Sequence, residues 1–286
     1  MSAGNSGSSG SAHFQGLQKR IATGVLGGAL LIATLIYGGR LGSALLAVLF
    51  SFGMLYEFIE INFHLPDKTE KKILLLGLTW LVSFANFWMP RTEYVLLLFL
   101  FFILFTYFLF TAEKHEGPAL TLHFQELMFS LFGCLYLTFL PLYLVLIRDS
   151  ANGLRWVLLF FLLNWAGDTA AYFVGIRYGK KKLYPKISPK KTVVGSLGGL
   201  GSGIVLTLLY KFLFFRGIPW LAILIIPLVV GCSSQLGDLC ESFLKRAFGR
   251  KDSGTILPGH GGFLDRFDGV VFSLPLMYAC IRIFGS

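Results

Sequence analysis

The residues best suited to chemistry lie in one polar, glycine-punctuated stretch between two apolar segments. It spans residues 242–268 and reads SFLKRAFGRKDSGTILPGHGGFLDRFD. Its carboxylates suit a hard cation such as magnesium, and its lysines and arginines suit phosphate. Its glycines let successive backbone N–H groups point at an anion, and His260 could donate to a phosphate oxygen or make a structural hydrogen bond. The stretch predicts a site for a divalent cation and a phosphorylated ligand.

Further carboxylates lie in or beside apolar segments, where an ionised side chain costs several kcal/mol unless it faces a cavity, a partner or an ion. The carboxylates of this kind are Asp168, Asp238, Glu241, Asp265 and Asp268. They come from three separate helices that end or begin at one membrane face. Together with the adjacent basic loops they predict a hard-cation site.

Simpler roles stay open for the individual carboxylates. Asp268 could be an N-cap that stabilises a helix start. Glu241 and Lys245 are four residues apart in the favourable order and could form an intrahelical ion pair. Asp168 could be one half of a buried structural ion pair.

A second basic stretch, GIRYGKKKLYPKISPKKTVVGSLGG, spans residues 175–199. Anchoring of cytoplasmic loops or attraction to anionic lipids explains the cluster 180–182. Lys190 and Lys191, which follow Ser188, precede a predicted helix start, where free N–H groups favour anions. A phosphate is therefore predicted there.

The reaction class is narrowed by motifs that the sequence lacks. It contains no GxxxxGK[ST] loop, no GxSxG elbow and no HExxH helix. Magnesium, phosphate-binding cations and a membrane surface are the elements of phosphoryl or nucleotidyl transfer to a lipid. An ion transporter is the alternative from another class, because it would also place carboxylates and broken helices in a membrane.

The elements that must position these residues are membrane helices. The chain is 55% hydrophobic and only 14% charged, has a mean hydropathy of +0.70 and contains 29 Phe, which is typical of an all-α polytopic membrane protein. About nine transmembrane helices are predicted, at residues 21–37, 41–59, 73–89, 94–110, 124–147, 154–175, 194–215, 220–239 and 268–284. The third, fourth and ninth are short and could be tilted or partly re-entrant.

The distribution of the 25 lysines and arginines predicts the orientation. With the N-terminus in the cytoplasm, 18 of them lie on the cytoplasmic side and 7 outside, as the positive-inside rule requires. The charged site loops contribute part of this bias.

The apolar segments and the short polar loops between them predict a single membrane domain, residues 17–286. A Gly/Ser-rich stretch at residues 1–16 precedes it. We interpret that stretch as a flexible leader or the remnant of an added tag, because it lacks the apolar core of a signal peptide. The four cysteines lie in or near apolar segments without a CxxC motif. They are predicted to be free, buried thiols.

Residues 242–268 resemble the signature of the phosphatidate cytidylyltransferase, or CDP-diacylglycerol synthase, family. The matching positions are Ser242, Lys245, Arg246, Lys251, Asp252, Gly254, Leu257, Pro258, His260, Gly261, Gly262, Asp265, Arg266 and Asp268. The resemblance continues upstream through GDLCESFLKR, GDTAAYFVGIRYGKKK and SPKKT, so the catalytic portion is expected at residues 164–269. One departure is Val194, where the family usually has Glu before the glycine, here Gly195.

The resemblance implies that CTP and phosphatidate react to CDP-diacylglycerol and pyrophosphate with magnesium, in phospholipid biosynthesis. It also implies a bacterial cytoplasmic membrane with the active site facing the cytoplasm, a homodimer by analogy, and no nucleic acid partner. Other CTP-dependent lipid enzymes, a polyprenol kinase or a CDP-ether-lipid synthase, stay open as alternatives.

The resemblance and the charges together suggest roles for the site residues. The metal ligands would be Asp238 and Asp265, with Asp168 and Asp268 as a second set and a second cation as an option. The phosphate-binding residues would be Ser188, Lys190, Lys191, Lys245, Arg246, Lys251, Arg266, His260, Gly261 and Gly262. Of all these, Asp238, Asp265, Lys251 and Arg266 are the catalytic candidates.

Overall fold

The structure is a computed structural model that describes residues 24–89, 92–254, 256 and 261–285. Over these residues the chain is almost entirely helical, with one short β-hairpin. The helices are α1 (Gly24–Tyr37), α2 (Gly39–Asn62), α3 (Lys68–Trp88), α4 (Glu93–Thr111), α5 (Pro118–Gly133), α6 (Leu140–Asp149), α7 (Gly153–Tyr178), α8 (Val193–Leu213), α9 (Trp220–Ala247) and α10 (Leu264–Phe284). The strands are β1 (Lys182–Tyr184) and β2 (Ser188–Thr192).

The prediction of an all-α polytopic membrane protein is confirmed. Among the described residues, seven helical segments are long and apolar enough to cross a membrane, and α5 and α6 form one of them. The described residues of all nine predicted segments lie almost entirely on helices. However, α1 is shorter than a span and α3 is more polar, so the count of nine crossings stays a prediction. The orientation of the N-terminus also stays a prediction.

The three segments that were predicted to be short are continuous helices, long enough to cross a bilayer. Helices α3, α4 and α10 have 21, 19 and 21 residues, which at a rise of about 1.5 Å per residue gives about 30 Å each. That length matches the hydrocarbon core of a bilayer. Partly re-entrant segments are therefore not needed to explain these three stretches.

The segment predicted as one helix at residues 124–147 contains a change of helical geometry. A π-helical turn, Cys134–Phe139, joins α5 to α6, and Pro141 stands at the start of α6. Such turns widen the helix locally and often occur near functional sites. Here the hydroxyl of Tyr136, within the turn, donates to the backbone oxygen of Asp268 at 3.2 Å. The turn therefore supports α10 where that helix carries a candidate site residue.

Two close helix contacts bring the site-bearing segments together. A Cβ on Gly199 of α8 would lie 2.8 Å from the backbone oxygen of Gly167 on α7. A Cβ on Gly237 of α9 would lie 2.8 Å from the backbone oxygen of Asp268 on α10. Glycine permits these approaches because it has no side chain. Each pair of helices is therefore packed backbone to backbone beside a candidate carboxylate.

The lysine-rich connection between α7 and α8 is the β-hairpin, whose strands pair antiparallel, Lys182 with Thr192 and Tyr184 with Ser188. At its end the Thr192 hydroxyl accepts a hydrogen bond from the Gly195 N–H at 3.2 Å and caps α8. The predicted helix start after Lys191 is confirmed. The hairpin holds the lysines of β2 against the first turn of α8.

Candidate active site

A cavity of about 630 Å³ opens at one end of the helix bundle, among α7, the β-hairpin, α8 and α9. This volume is within the range of pockets that hold small ligands. Two carboxylates, Asp168 and Asp238, line it from α7 and α9, and three lysines, Lys182, Lys190 and Lys191, line it from the hairpin. The cavity therefore places acidic groups opposite basic groups.

Asp238 and Lys191 form a salt bridge across this cavity. Their side chains are 39% and 26% exposed, so a ligand can reach both of them. The sequence predicted that Lys191 binds phosphate, whereas here it pairs with a carboxylate. Lys182 also differs from its expected role, because it lines the cavity rather than serving only the membrane surface.

Asp268 lies behind the cavity wall on α10. Its carboxylate is largely buried, with 7% of the residue exposed, and accepts a hydrogen bond from the Gly269 N–H at 2.7 Å. Asp238 is close enough to both Asp268 and Asp168 for their charges to interact. Asp168 and Asp268 are thus the two predicted metal ligands near Asp238, but the ligand atoms of the three do not all lie within 4.8 Å of one another. Asp268 is not an N-cap, since α10 begins at Leu264, four residues earlier.

Asp265 belongs to a neighbouring cluster with Lys245 and Glu241. Lys245 pairs with Asp265 and, at 2.6 Å, with Glu241. The other Asp265 oxygen accepts the N–H groups of Ser253 and Gly262 at 3.0 and 3.1 Å. Asp265 therefore contacts a lysine and residues 253–263, the part of the signature that leads into α10 and that we call the signature loop. The predicted intrahelical Glu241–Lys245 pair is confirmed.

The other predicted phosphate-binding residues lie mostly on the surface. Arg246, Lys251 and Arg266 are exposed, and the Arg246 Nε donates to the backbone oxygen of Ile187, which ties the end of α9 to the hairpin. Ser188 begins β2, outside the cavity wall.

The glycines of the signature loop differ in their backbone roles. Gly261 adopts a positive φ of +84°, which favours glycine, and the Gly262 N–H is engaged by Asp265. His260 lies outside the described residues. The structure thus brings Gly262 to Asp265, where the sequence predicted contact with a triphosphate.

Glu57 of α2 is a site residue that sequence reasoning missed. It is 2% exposed, and its Oε2 accepts the Ser253 hydroxyl at 2.9 Å and the Leu264 N–H at 2.8 Å. A signal was present, because an acidic residue inside the apolar segment 41–59 is unexpected in a membrane helix. The family signature at residues 242–268 does not include α2 and gives no indication of Glu57.

A second buried polar cluster connects α3, α5 and the turn after α4. Lys71 is fully buried and contacts Glu126 at 2.6 Å, Asp67 at 2.8 Å and the ring of His123 at 3.1 Å. Glu126 also accepts the His64 N–H at 2.8 Å. The cluster fixes the start of α3 against α5.

Three side chains of this cluster, Asp67, His115 and His123, have ligand atoms within 4.8 Å of one another, a spacing that could suit a metal ion. The Lys71 ammonium, however, contacts both Asp67 and His123, so a positive charge already stands there. Burial raises the pKa of Asp67, but the hydrogen bond and charge of Lys71, aided by His115, bring that pKa below its ordinary value. We interpret the cluster as structural.

The described cysteines form no disulfide, as predicted. Cys134 and Cys280 are buried, whereas Cys232 and Cys240 are exposed on α9. The prediction that all four are buried was therefore wrong for two of them. Apolar segments in a membrane protein have outward faces, which sequence position alone does not distinguish from inward faces.

Comparison of this chain with known proteins shows the family to which it is related. The chain matches the cytidylyltransferase family over residues 18–284. It is similar to a phosphatidate cytidylyltransferase of Bacillus subtilis (strain 168), 34% identical over 279 residues that cover 94% of this chain and 98% of that protein. One from Staphylococcus saprophyticus is 36% identical over 264 residues, covering 91% and 97%. One from Staphylococcus aureus (strain COL) is 48% identical over 132 residues, covering 46% and 50%. The family that residues 242–268 predicted is confirmed.

Proposed function

We propose a function from one premise: the chain belongs to the cytidylyltransferase family. It is an integral membrane enzyme that transfers the cytidylyl group of CTP to phosphatidate and releases pyrophosphate. The observation that carries this assignment to particular residues is the cavity in which Asp168 and Asp238 face Lys182, Lys190 and Lys191. Such a cavity can hold an anionic nucleotide and a cation together.

The chemistry needs little from the protein beyond placement and charge neutralisation. A phosphate monoester has a second pKa near 6, so the phosphatidate headgroup is already a nucleophile at neutral pH. One of its oxygens bonds to the α-phosphorus of CTP as the bond from that phosphorus to the β-phosphate bridging oxygen breaks. The leaving group is pyrophosphate, and no general base is required.

We propose that carboxylates at this end of the bundle bind a magnesium ion after a rearrangement, since no three of those described have ligand atoms within 4.8 Å of one another in this structure. Five of them, Asp168, Asp238, Glu241, Asp265 and Asp268, converge at this end of the bundle, and the salt bridges of Lys191 and Lys245 reach three of the five. Oxygen donors in such number suit a hard cation. We assign Asp238 as the central ligand, with Asp168 and Asp268 beside it. Magnesium, when bound, would neutralise charge on the phosphates.

The assignment of Asp265 requires a rearrangement. Its carboxylate is engaged by Lys245 and by two backbone N–H groups. For Asp265 to share an ion with Asp238, Lys245 must move to another anion when the substrates bind. A phosphate of CTP is an anion of the right kind, since lysine binds phosphates as a point charge.

The basic residues provide the phosphate contacts. Lys182, Lys190 and Lys191 line the cavity, and Arg246, Lys251 and Arg266 are exposed on the same end of the bundle. We assign the first three to the triphosphate and the exposed three to the anionic headgroup and the membrane surface. The excess of lysine and arginine at this end supports a cytoplasmic active site, which in a bacterium faces inward from the cytoplasmic membrane.

One experiment tests reaction, acceptor and cation together. Purified protein in detergent receives phosphatidate and CTP labelled either at the α-phosphate or at the γ-phosphate, with and without magnesium. We expect label in the lipid from α-labelled CTP only, and only with magnesium. Lipid labelled by γ-labelled CTP would identify a kinase, and replacing phosphatidate by a polyprenol or an ether lipid would identify another acceptor.

A further inference from the structure

We infer that Glu57 is a positioning residue for the reaction, acting through Ser253 and Leu264 on the segment that carries Asp265. The inference rests on the proposed function. Glu57 lies near the end of α2, about 200 residues before the signature. It does not line the cavity, so its effect on the reaction is indirect.

The Glu57 carboxylate holds both ends of the signature loop at once. Its Oε2 accepts the hydroxyl of Ser253, at the beginning of the loop, at 2.9 Å. The same oxygen accepts the N–H of Leu264, the first residue of α10, at 2.8 Å. Free N–H groups at a helix start favour a negative charge. A carboxylate is therefore suited to joining Ser253 to the N-terminus of α10.

The hydrogen bonds continue from Glu57 to the charged cluster. The Asp265 N–H donates to the Ser253 hydroxyl oxygen at 3.3 Å, and the Ser253 N–H donates to Asp265 Oδ2 at 3.0 Å. Asp265 then pairs with Lys245. The position of the Asp265 carboxylate thus depends on Ser253, and the position of Ser253 depends on Glu57.

The loop is pressed directly onto this carboxylate. A Cβ on Gly254 would lie 2.4 Å from Glu57 Oε1, and a Cβ on Gly262 would lie 2.7 Å from Glu57 Oε2. Both glycines are therefore needed for space against Glu57. Gly254 and Gly262 therefore have little room to move toward Glu57.

The energetic cost of burying Glu57 supports a role beyond packing. Its Oε1 is buried and has no hydrogen-bond partner among the described residues. A buried polar atom without a partner destabilises the folded protein. The neighbouring contact of Phe50 on α2 with Phe267 on α10, with ring centroids 4.4 Å apart, already joins the two helices by apolar packing. A carboxylate is thus not required merely to hold α2 against α10.

The test compares Glu57→Leu, Glu57→Gln and Ser253→Ala with the wild type in the labelled-CTP assay. Glu57→Leu removes the acceptor, and we expect kcat to fall about tenfold to a hundredfold, with KM for CTP within about twofold, since misplacement of a reacting group by about 1 Å costs on this order. Glu57→Gln retains one acceptor oxygen and should recover most of the loss. Ser253→Ala cuts the same connection while Glu57 keeps its charge and its Leu264 N–H donor, and should also lower kcat.

The coupling is measured in the double variant. If Glu57 acts through Ser253, Glu57→Leu combined with Ser253→Ala should be no slower than Glu57→Leu alone, because residues in one network are not additive. The matched control is Glu60→Gln, on the same helix, whose carboxylate pairs with Lys68 and Lys72 and should leave kcat unchanged.

Several outcomes would overturn the inference. They are a wild-type kcat in Ser253→Ala, a lowered thermal midpoint with unchanged kcat in Glu57→Leu, a raised KM alone, or additive losses in the double variant. A wild-type protein that labels no lipid would instead contradict the proposed function. The two failures are therefore distinguishable.

Discussion

Lys191 and Asp238 form a salt bridge across the cavity. Lys191 lies on β2, the strand that leads into α8, and Asp238 lies within α9. Each partner could also bind part of a substrate complex, since an ammonium binds phosphate and a carboxylate binds magnesium. Binding of magnesium CTP would therefore replace one internal ion pair by two ligand contacts. In this structure the pair joins the hairpin to α9.

Asp238→Asn should reduce turnover strongly. The substitution keeps the size of the side chain and removes the charge that interacts with both Asp168 and Asp268. Removal of one key electrostatic contact costs about 10²- to 10³-fold in rate. Initial rates across a magnesium titration measure the effect, and Glu113→Gln, on the exposed turn after α4, is the control. A variant that turns over at the wild-type rate would remove Asp238 from the metal site.

Lys191→Gln should weaken CTP binding more than it slows the chemical step. Its ammonium lines the cavity, and a hydrogen bond to a charged group contributes about 1.5–3 kcal/mol, or about tenfold to 150-fold in affinity. KM for CTP, measured at saturating phosphatidate, should rise by this factor. Lys180→Gln is the matched control, because Lys180 is exposed and lies outside the cavity lining. Equal effects of the two variants would contradict a specific phosphate contact.

Asp265→Asn tests whether Asp265 reaches the metal during the reaction. The amide oxygen can still accept the loop N–H groups, while the charge that holds Lys245 is lost. We expect a rate loss of about 10²- to 10³-fold together with a higher magnesium concentration for half-maximal rate. Wild-type turnover would show that Asp265 is not a ligand. A rate loss without any change in magnesium dependence would limit it to positioning Lys245.

Val194→Glu restores the acid that the family pattern usually has. Val194 is 39% exposed in the first turn of α8, beside Gly195, which lines the cavity. If the missing carboxylate limits the enzyme, turnover should rise in Val194→Glu and stay unchanged in Val194→Gln. An unchanged rate in both variants would show that the acid is not needed.

Asp67 should make stability depend on pH at the acidic end. Its pKa lies below its ordinary value because Lys71 and His115 outweigh the effect of burial. The stabilisation is therefore present above the ordinary value of about 4 and is lost as the pH falls through the lower value of the folded protein. Thermal midpoints in detergent from pH 7 to pH 3 should fall less steeply in Asp67→Asn. Parallel curves for the two proteins would contradict this role.

The sequence alone was sufficient to predict where the helices lie and to which family the chain belongs. The described part of each of the nine predicted segments lies almost entirely on a helix, because a long apolar run in a membrane can satisfy its backbone hydrogen bonds only within itself. The signature at residues 242–268 identified the family, since the order and spacing of its charged residues and glycines are specific. Helix ends were less well predicted: α9 continues to Ala247, eight residues beyond its apolar part, and α10 starts four residues early.

The partners that charged residues have on other helices and loops were decided by the tertiary structure alone, whereas the intrahelical Glu241–Lys245 pair followed from the sequence. The sequence grouped Asp265 with Asp238, but α10 begins at Leu264 and places Asp265 against Lys245 and the signature loop. It gave no reason to connect Glu57 with Ser253, because the two are separated by almost 200 residues and meet only where α2 packs beside α10. Hydropathy and spacing act along one chain segment, whereas ion pairs depend on distances between segments, and those distances are set by helix packing.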